Sequence, residues 1–186
     1  LLLLCGFAIA TTAFLGWSAV QNLASVSEAA SRITEMGAAQ RAQMDADMMH
    51  DGLRADVLLI NLSVAKEDAE MRKEGNDGVR EHVARFRESM KTAAADEEPK
   101  IQSAVRDVMP GIERYLQSAE AFANARPGEE LPPLDAFLKD FSALEEGMEK
   151  FGDVIAATAK SVDEEAQKQE AAAARSIVFV AIAGSL

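Results

Sequence analysis

The chain has 186 residues, a net charge of −12 and 48% hydrophobic residues, with only 5% aromatic. That length supports one domain with a real core, and the acidic balance argues against nucleic acid, since no basic stripe exists to neutralise phosphates. A single cysteine, Cys5, excludes an internal disulfide.

Alanine is abundant, proline is confined to a few places, and no stretch alternates with period two, so the composition reads as all-helical. Residues 1–26 carry no charge and are mostly Leu, Ala, Ile, Phe and Val; about 20 such residues span a bilayer. Trp17 falls toward the outer end, where an interfacial aromatic fits. No small-residue cleavage pattern followed by a polar break is present, which disfavours a signal peptide. This stretch is expected to be a first transmembrane helix.

Helical periodicity then continues from residue 27 to residue 74. Gly37 and Gly52 weaken it by about 1 kcal/mol each without ending it. Met49, Leu53, Val57, Ile60 and Val64 step by three or four and form an apolar core stripe. Beside it runs a second seam at the same spacing: Gln43, Asp47, His50, Arg54, Val57, Asn61 and Val64. Its geometry suits helix packing, but its chemistry is largely polar. Burying such a seam is costly unless each group finds a partner. It is therefore either a solvated face or a face completed by a second copy or a ligand. Gly75-Asn76-Asp77-Gly78 reads as the turn that ends this helix.

The second helix carries the stripe Val79, Val83, Phe86, Met90 and Ala93 and ends near Asp96-Glu97-Glu98-Pro99. Acids and a proline suit the first turn of the next helix. The third has Ile101, Val105, Val108, Ile112, Tyr115, Ala119 and Phe122 on one face, with a kink expected at Pro110-Gly111. Residues 126–133 form a loop. The fourth helix runs from residue 134 to residue 175 with Phe137, Phe141, Leu144, Met148, Phe151, Ile155, Thr158 and Val162 at heptad spacing. Residues 175–186 read as the start of a second transmembrane helix, cut short. The chain also opens without a methionine, so it reads as a fragment of a longer protein. At about 1.5 Å per residue, helix one would rise about 70 Å and helix four would return about 60 Å, while helices two and three reach only about 30 and 40 Å. Four helices would pack at the far end, with helices one and four alone forming a stalk.

The chemistry concentrates on helix one, where Asp45, Asp47, His50, Asp51, Arg54 and Asp56 fall within twelve residues. Asp47-x-x-His50 has the spacing of a di-iron bundle motif, but such sites need a second motif, and Val79 stands where an acid would precede His82. Arg54 offers a planar fork for a carboxylate. The same residues can also pair locally, since Asp51 lies at i−3 from Arg54. Recognition of an anion and structural pairing both remain open. No Gly-rich phosphate loop, nucleophile elbow or usable Cys/His or Ser/His/Asp set is present, so no enzyme is expected. The methionines Met44, Met48 and Met49 read as core filler.

The segment Asp47-Met48-Met49-His50-Asp51-Gly52-Leu53-Arg54-Ala55-Asp56-Val57, set between two apolar ends, resembles the sensory module of methyl-accepting chemotaxis proteins with a four-helix-bundle ligand-binding domain. The resemblance implies a homodimer that binds a small solute between the first helices of two subunits, with arginines holding a carboxylate and helix four transmitting a small displacement. Arg54 stands in a matching place. No arginine follows one turn onward, where Ile60 and Asn61 stand, and Arg41 would be a second basic contact only if it faced the partner.

The expectation is therefore an all-α, antiparallel up-down-up-down four-helix bundle over residues 27–174, flanked by two transmembrane helices. It would work as a homodimer in a bacterial inner membrane with the sensor in the periplasm. A small carboxylate or other anion would bind at Arg54, His50, Asp47, Gln43 and Asn61, with no metal or cofactor and no nucleic acid. Cytoplasmic signalling partners would be reached through sequence beyond Leu186. A histidine-kinase or cyclase sensor, a metal-responsive bundle and a structural bundle are the alternatives.

Overall fold

The chain is described here by a computed structural model, which covers the backbone of residues 2–183 and the side chains of residues 12–175. Among the described residues it forms four helices: α1 (Leu2–Lys66), α2 (Ala69–Ala94), α3 (Pro99–Asn124) and α4 (Leu134–Ala183). The chain divides into two compact units, Met36–Thr158 as the first and Leu1–Glu35 with Ala159–Leu186 as the second.

In the first unit every neighbouring pair of helices runs antiparallel. Arg85 and Ser89 of α2 meet Asp45 of α1, while His82 meets Asp56 and Gly75 approaches Ile60. Arg87 of α2 bridges Glu113 and Glu120 of α3, and Arg72 donates to the carbonyl of Ala125 just beyond α3 at 2.8 Å. Val108 of α3 faces Gly147 of α4, and Phe141 of α4 lies against His50 of α1. Thus α1 and α3 run one way and α2 and α4 the other. The stripes of α2, α3 and α4 fill the middle: Phe86, Ile112, Tyr115, Phe122, Phe137 and Phe151 are among the fully buried side chains.

The boundary between α1 and α2 differs from the sequence expectation. The chain turns at Glu67, which takes a left-handed φ of 54°. Asp68 caps α2 by accepting from the amide of Met71 at 3.0 Å. Helix α2 then runs straight through Gly75-Asn76-Asp77-Gly78, which is not a turn. These glycines serve helix contact instead. A Cβ on Gly75 would stand 2.8 Å from Cγ1 of Ile60 and 3.0 Å from the backbone oxygen of Asp56, and one on Gly78 would meet the Asp56 carboxylate. After Ile60 the buried face of α1 continues at Ser63, so Val64 is 46% exposed and falls outside the core stripe. Helix α3 continues through Pro110.

The two flanking transmembrane helices are not shown by the described residues. Among the described residues no helix is long and apolar enough to cross a membrane. From Thr12 onward the expected first span is interrupted by Thr12, Ser18, Gln21, Asn22 and Ser25 and is followed by Glu28 and Arg32. Among the residues whose side chains are described, 12–175, that leaves no run of about 20 apolar residues. The side chains of residues 1–11 and 176–186, on which parts of both expected spans fall, lie outside the described residues. In the second unit α1 and α4 meet through polar groups: Ser25 Oγ donates to Gln169 Oε1 at 3.2 Å, and Arg32 pairs with Glu165 at 3.0 Å. Val162 is buried beside them.

Candidate functional site

The polar seam of α1 meets α4 for part of its length. His50 is buried, and its ring stacks on Phe141 with centroids 4.1 Å apart and planes 5° from parallel. Its Nε2 lies 3.3 Å from the carbonyl oxygen of Phe141, an acceptor only, so this nitrogen carries the proton. Tyr115 of α3 meets the same ring edge-on at 5.0 Å and donates its hydroxyl to the His50 carbonyl at 2.8 Å. Burial pushes the Tyr115 hydroxyl well above its ordinary range, which keeps it a donor.

One turn onward, the Arg54 guanidinium carbon sits 4.3 Å from the centroid of the same Phe141 ring. One nitrogen of Arg54 donates to Asp51 at 3.1 Å, and the side chain remains 43% exposed. A cation held over an aromatic face gains about 0.5–1 kcal/mol at such a site. A fork with five N–H donors keeps several beyond that one bond, so Arg54 is restrained yet able to receive an anion.

The other seam residues separate. Asp47 is exposed. The side chain of Gln43 lies against Gly152 of α4, two turns from His50. Asn61 donates back to the carbonyl of Val57 at 3.0 Å. Of the five sequence-predicted residues, the structure brings only His50 and Arg54 together, and it does so on Phe141. Phe141 and Tyr115 appeared in the sequence only as core stripe residues; no local signal marks them as partners of a histidine on another helix. Among the described residues no group of three or more His, Cys, Asp or Glu residues is placed to hold a metal ion.

A second polar contact closes α1 on α2. His82 Nδ1 and Asp56 Oδ2 are 2.6 Å apart, and the His82 ring fits against Gly52, where a Cβ would lie 3.0 Å from Cε1. Burial raises the Asp56 carboxyl above its ordinary value and outweighs the opposing hydrogen bond from His82.

These environments set a pH dependence. Burial lowers the pKa of His50 from its ordinary 6.5, outweighing the Phe141 hydrogen bond and the nearby Asp51, Asp47 and Glu145. The unfolded chain therefore binds a proton at His50 before the folded chain does. Stability conferred by neutral His50 is complete above 6.5 and falls as pH drops from 6.5 toward the lower folded value. Asp56 works in the opposite direction at more acid pH, because its raised folded pKa means that protonation favours the folded state. Melting curves between about pH 8 and pH 5.5 should show a loss of stability on acidification that His50→Gln reduces. An equal loss in the variant would show that His50 is not the group responsible.

Comparison with protein-family profiles, with curated proteins and with solved structures gave no match for this chain.

Proposed function

We propose that this bundle is a ligand-sensing module of a signalling receptor, placed outside the cytoplasm, that takes up a small carboxylate at Arg54 between two copies of the chain. The observation that carries this reading is the half-exposed guanidinium of Arg54, laid on Phe141 and anchored through one nitrogen to Asp51. Around it α1 presents an apolar row to solvent: Met44, Met48, Leu58 and Leu62 are 42–64% exposed. They step by four, ten and four residues, offsets that keep all four on one helix face, and such a face suits a second helix that supplies the contact the polar groups alone would lack.

The link to output is physical. Phe141 belongs to α4, and Arg54 and His50 belong to α1. A carboxylate that draws Arg54 away from the ring alters the contact between the two helices that carry the chain's ends. Such a ligand shifts signalling only by its differential affinity for the two arrangements.

The test is melting and sedimentation of the full chain with a panel of small carboxylates, amino acids, inorganic anions and divalent metals. A ligand present at about 100 times its Kd should add about 2.7 kcal/mol of stability. The part of that gain that grows with dimerisation should vanish in Arg54→Ala, and the wild type should sediment as a dimer. A chain that stays monomeric and responds to none of the panel would favour a purely structural bundle.

A further inference from the structure

A second polar site lies between α1 and α2, and it shares no residue with the Arg54 face. A cleft of about 500 Å³ opens there, within the roughly 300–1,000 Å³ typical of small-molecule sites. Its lining repeats one spacing on both helices. On α1, Ala38, Arg41, Ala42 and Asp45 fall at i, i+3, i+4 and i+7; on α2, Arg85, Glu88, Ser89 and Thr92 fall at the same offsets. Such offsets place four side chains on one helix face. Ala38 and Ala42 end at Cβ and leave the floor open between longer polar walls.

The electrostatics of this cleft are asymmetric. Asp45 is fully engaged: Arg85 donates to one oxygen at 2.6 Å and the buried Ser89 hydroxyl to the other at 2.6 Å. Asp45 therefore fixes Arg85 in place and has little left with which to repel an anion. Arg85 uses one terminal nitrogen for that bond, and its side chain stays 49% exposed, leaving other donors on the fork. Glu88 is partnered by Lys91 at 3.4 Å, and the Thr92 hydroxyl donates to the Glu88 carbonyl. With these charges matched, Arg41 carries the excess positive charge of the cleft. Planar guanidinium forks on facing helices match the two oxygens of a carboxylate, which the point charge of a lysine would not.

We propose that this cleft binds a small carboxylate within a single chain, with Arg41 as the main fork and Arg85, held by Asp45 and Ser89, as the second. The site needs no second copy, so it stands apart from the reading built on Arg54.

The test is calorimetric titration of the full chain with acetate, succinate, citrate and L-glutamate, against sodium sulfate and sodium chloride at equal ionic strength. At least one carboxylate should bind saturably and more tightly than sulfate. Arg41→Ala should weaken it at least about tenfold, equivalent to about 1.4 kcal/mol. Arg41→Lys should restore only part, because the charge returns without the fork. Ala38→Leu should block binding by filling the floor while circular dichroism reports an intact helical fold. Arg54→Ala should leave this binding unchanged. The proposal is overturned if none of the four carboxylates binds above chloride, or if sulfate binds as tightly as the best of them. It is also overturned if binding survives Arg41→Ala and disappears in Arg54→Ala, which would move the carboxylate to the other face of α1.

Discussion

Phe141→Ala is expected to cost about 3–5 kcal/mol of folding stability, the range for truncating a buried aromatic side chain. Phe141 is only 5% exposed, and three groups from two other helices converge on it: His50 at 4.1 Å, Tyr115 at 6.1 Å and the Arg54 guanidinium at 4.3 Å. Removing the ring empties a volume that rigid helices fill incompletely. It also leaves His50 buried without its stacking partner and Arg54 without the face it covers. Phe141→Leu keeps most of the apolar volume and should cost much less. Urea denaturation reads the difference as a lower midpoint at unchanged slope. A loss below about 1 kcal/mol would contradict the cavity argument. A double-mutant cycle with Arg54→Ala should return a coupling of about 0.5–1 kcal/mol, the range for an exposed cation over a ring.

The cores of α2, α3 and α4 were legible because a single apolar face dominates each. Val79, Val83, Phe86, Met90 and Ala93, the α3 row from Ile101 to Phe122, and the α4 row from Phe137 to Val162 are all buried. Periodicity reports that kind of burial directly. The Gly75-Asn76-Asp77-Gly78 segment was not legible, because a glycine can serve a left-handed backbone or a close approach, and a local sequence does not say which. The true turn rests on Glu67 and the Asp68 cap, a weaker signal than two glycines. The polar seam of α1 was legible as a seam but not as a destination. Gln43 and His50 reach α4 of the same chain, at Gly152 and Phe141, a pairing set by helix packing. The apolar composition of the first stretch suggested a membrane span, yet the polar residues from Thr12 to Ser25 interrupt it in the described part.

Gly75→Val should destabilise the chain by about 3 kcal/mol, the upper end for overpacking a tight contact, whereas Gly37→Ala should stabilise it by up to about 1 kcal/mol. Both glycines lie inside helices and neither takes a positive φ, so backbone conformation does not separate them. Space does. Nothing lies within 4 Å of a Cβ placed on Gly37, while a Cβ on Gly75 meets Ile60 Cγ1 at 2.8 Å, the Asp56 carbonyl oxygen at 3.0 Å and the Ile60 amide nitrogen at 3.2 Å. The shortest of these is to a side-chain atom, but the other two are backbone, so a change of the Ile60 rotamer still leaves two tight contacts, and α1 must give by a few tenths of an ångström. That movement would also strain the Asp56–His82 contact and the fit of His82 against Gly52, which lie on the same interface. The opposite signs are the decisive feature, because helix propensity alone predicts a gain from replacing either glycine with alanine. Urea midpoints for the two variants, with Gly75→Ala as the minimal case, decide it. A gain at Gly75 equal to that at Gly37 would mean that α1 and α2 do not approach as closely there as the structure shows.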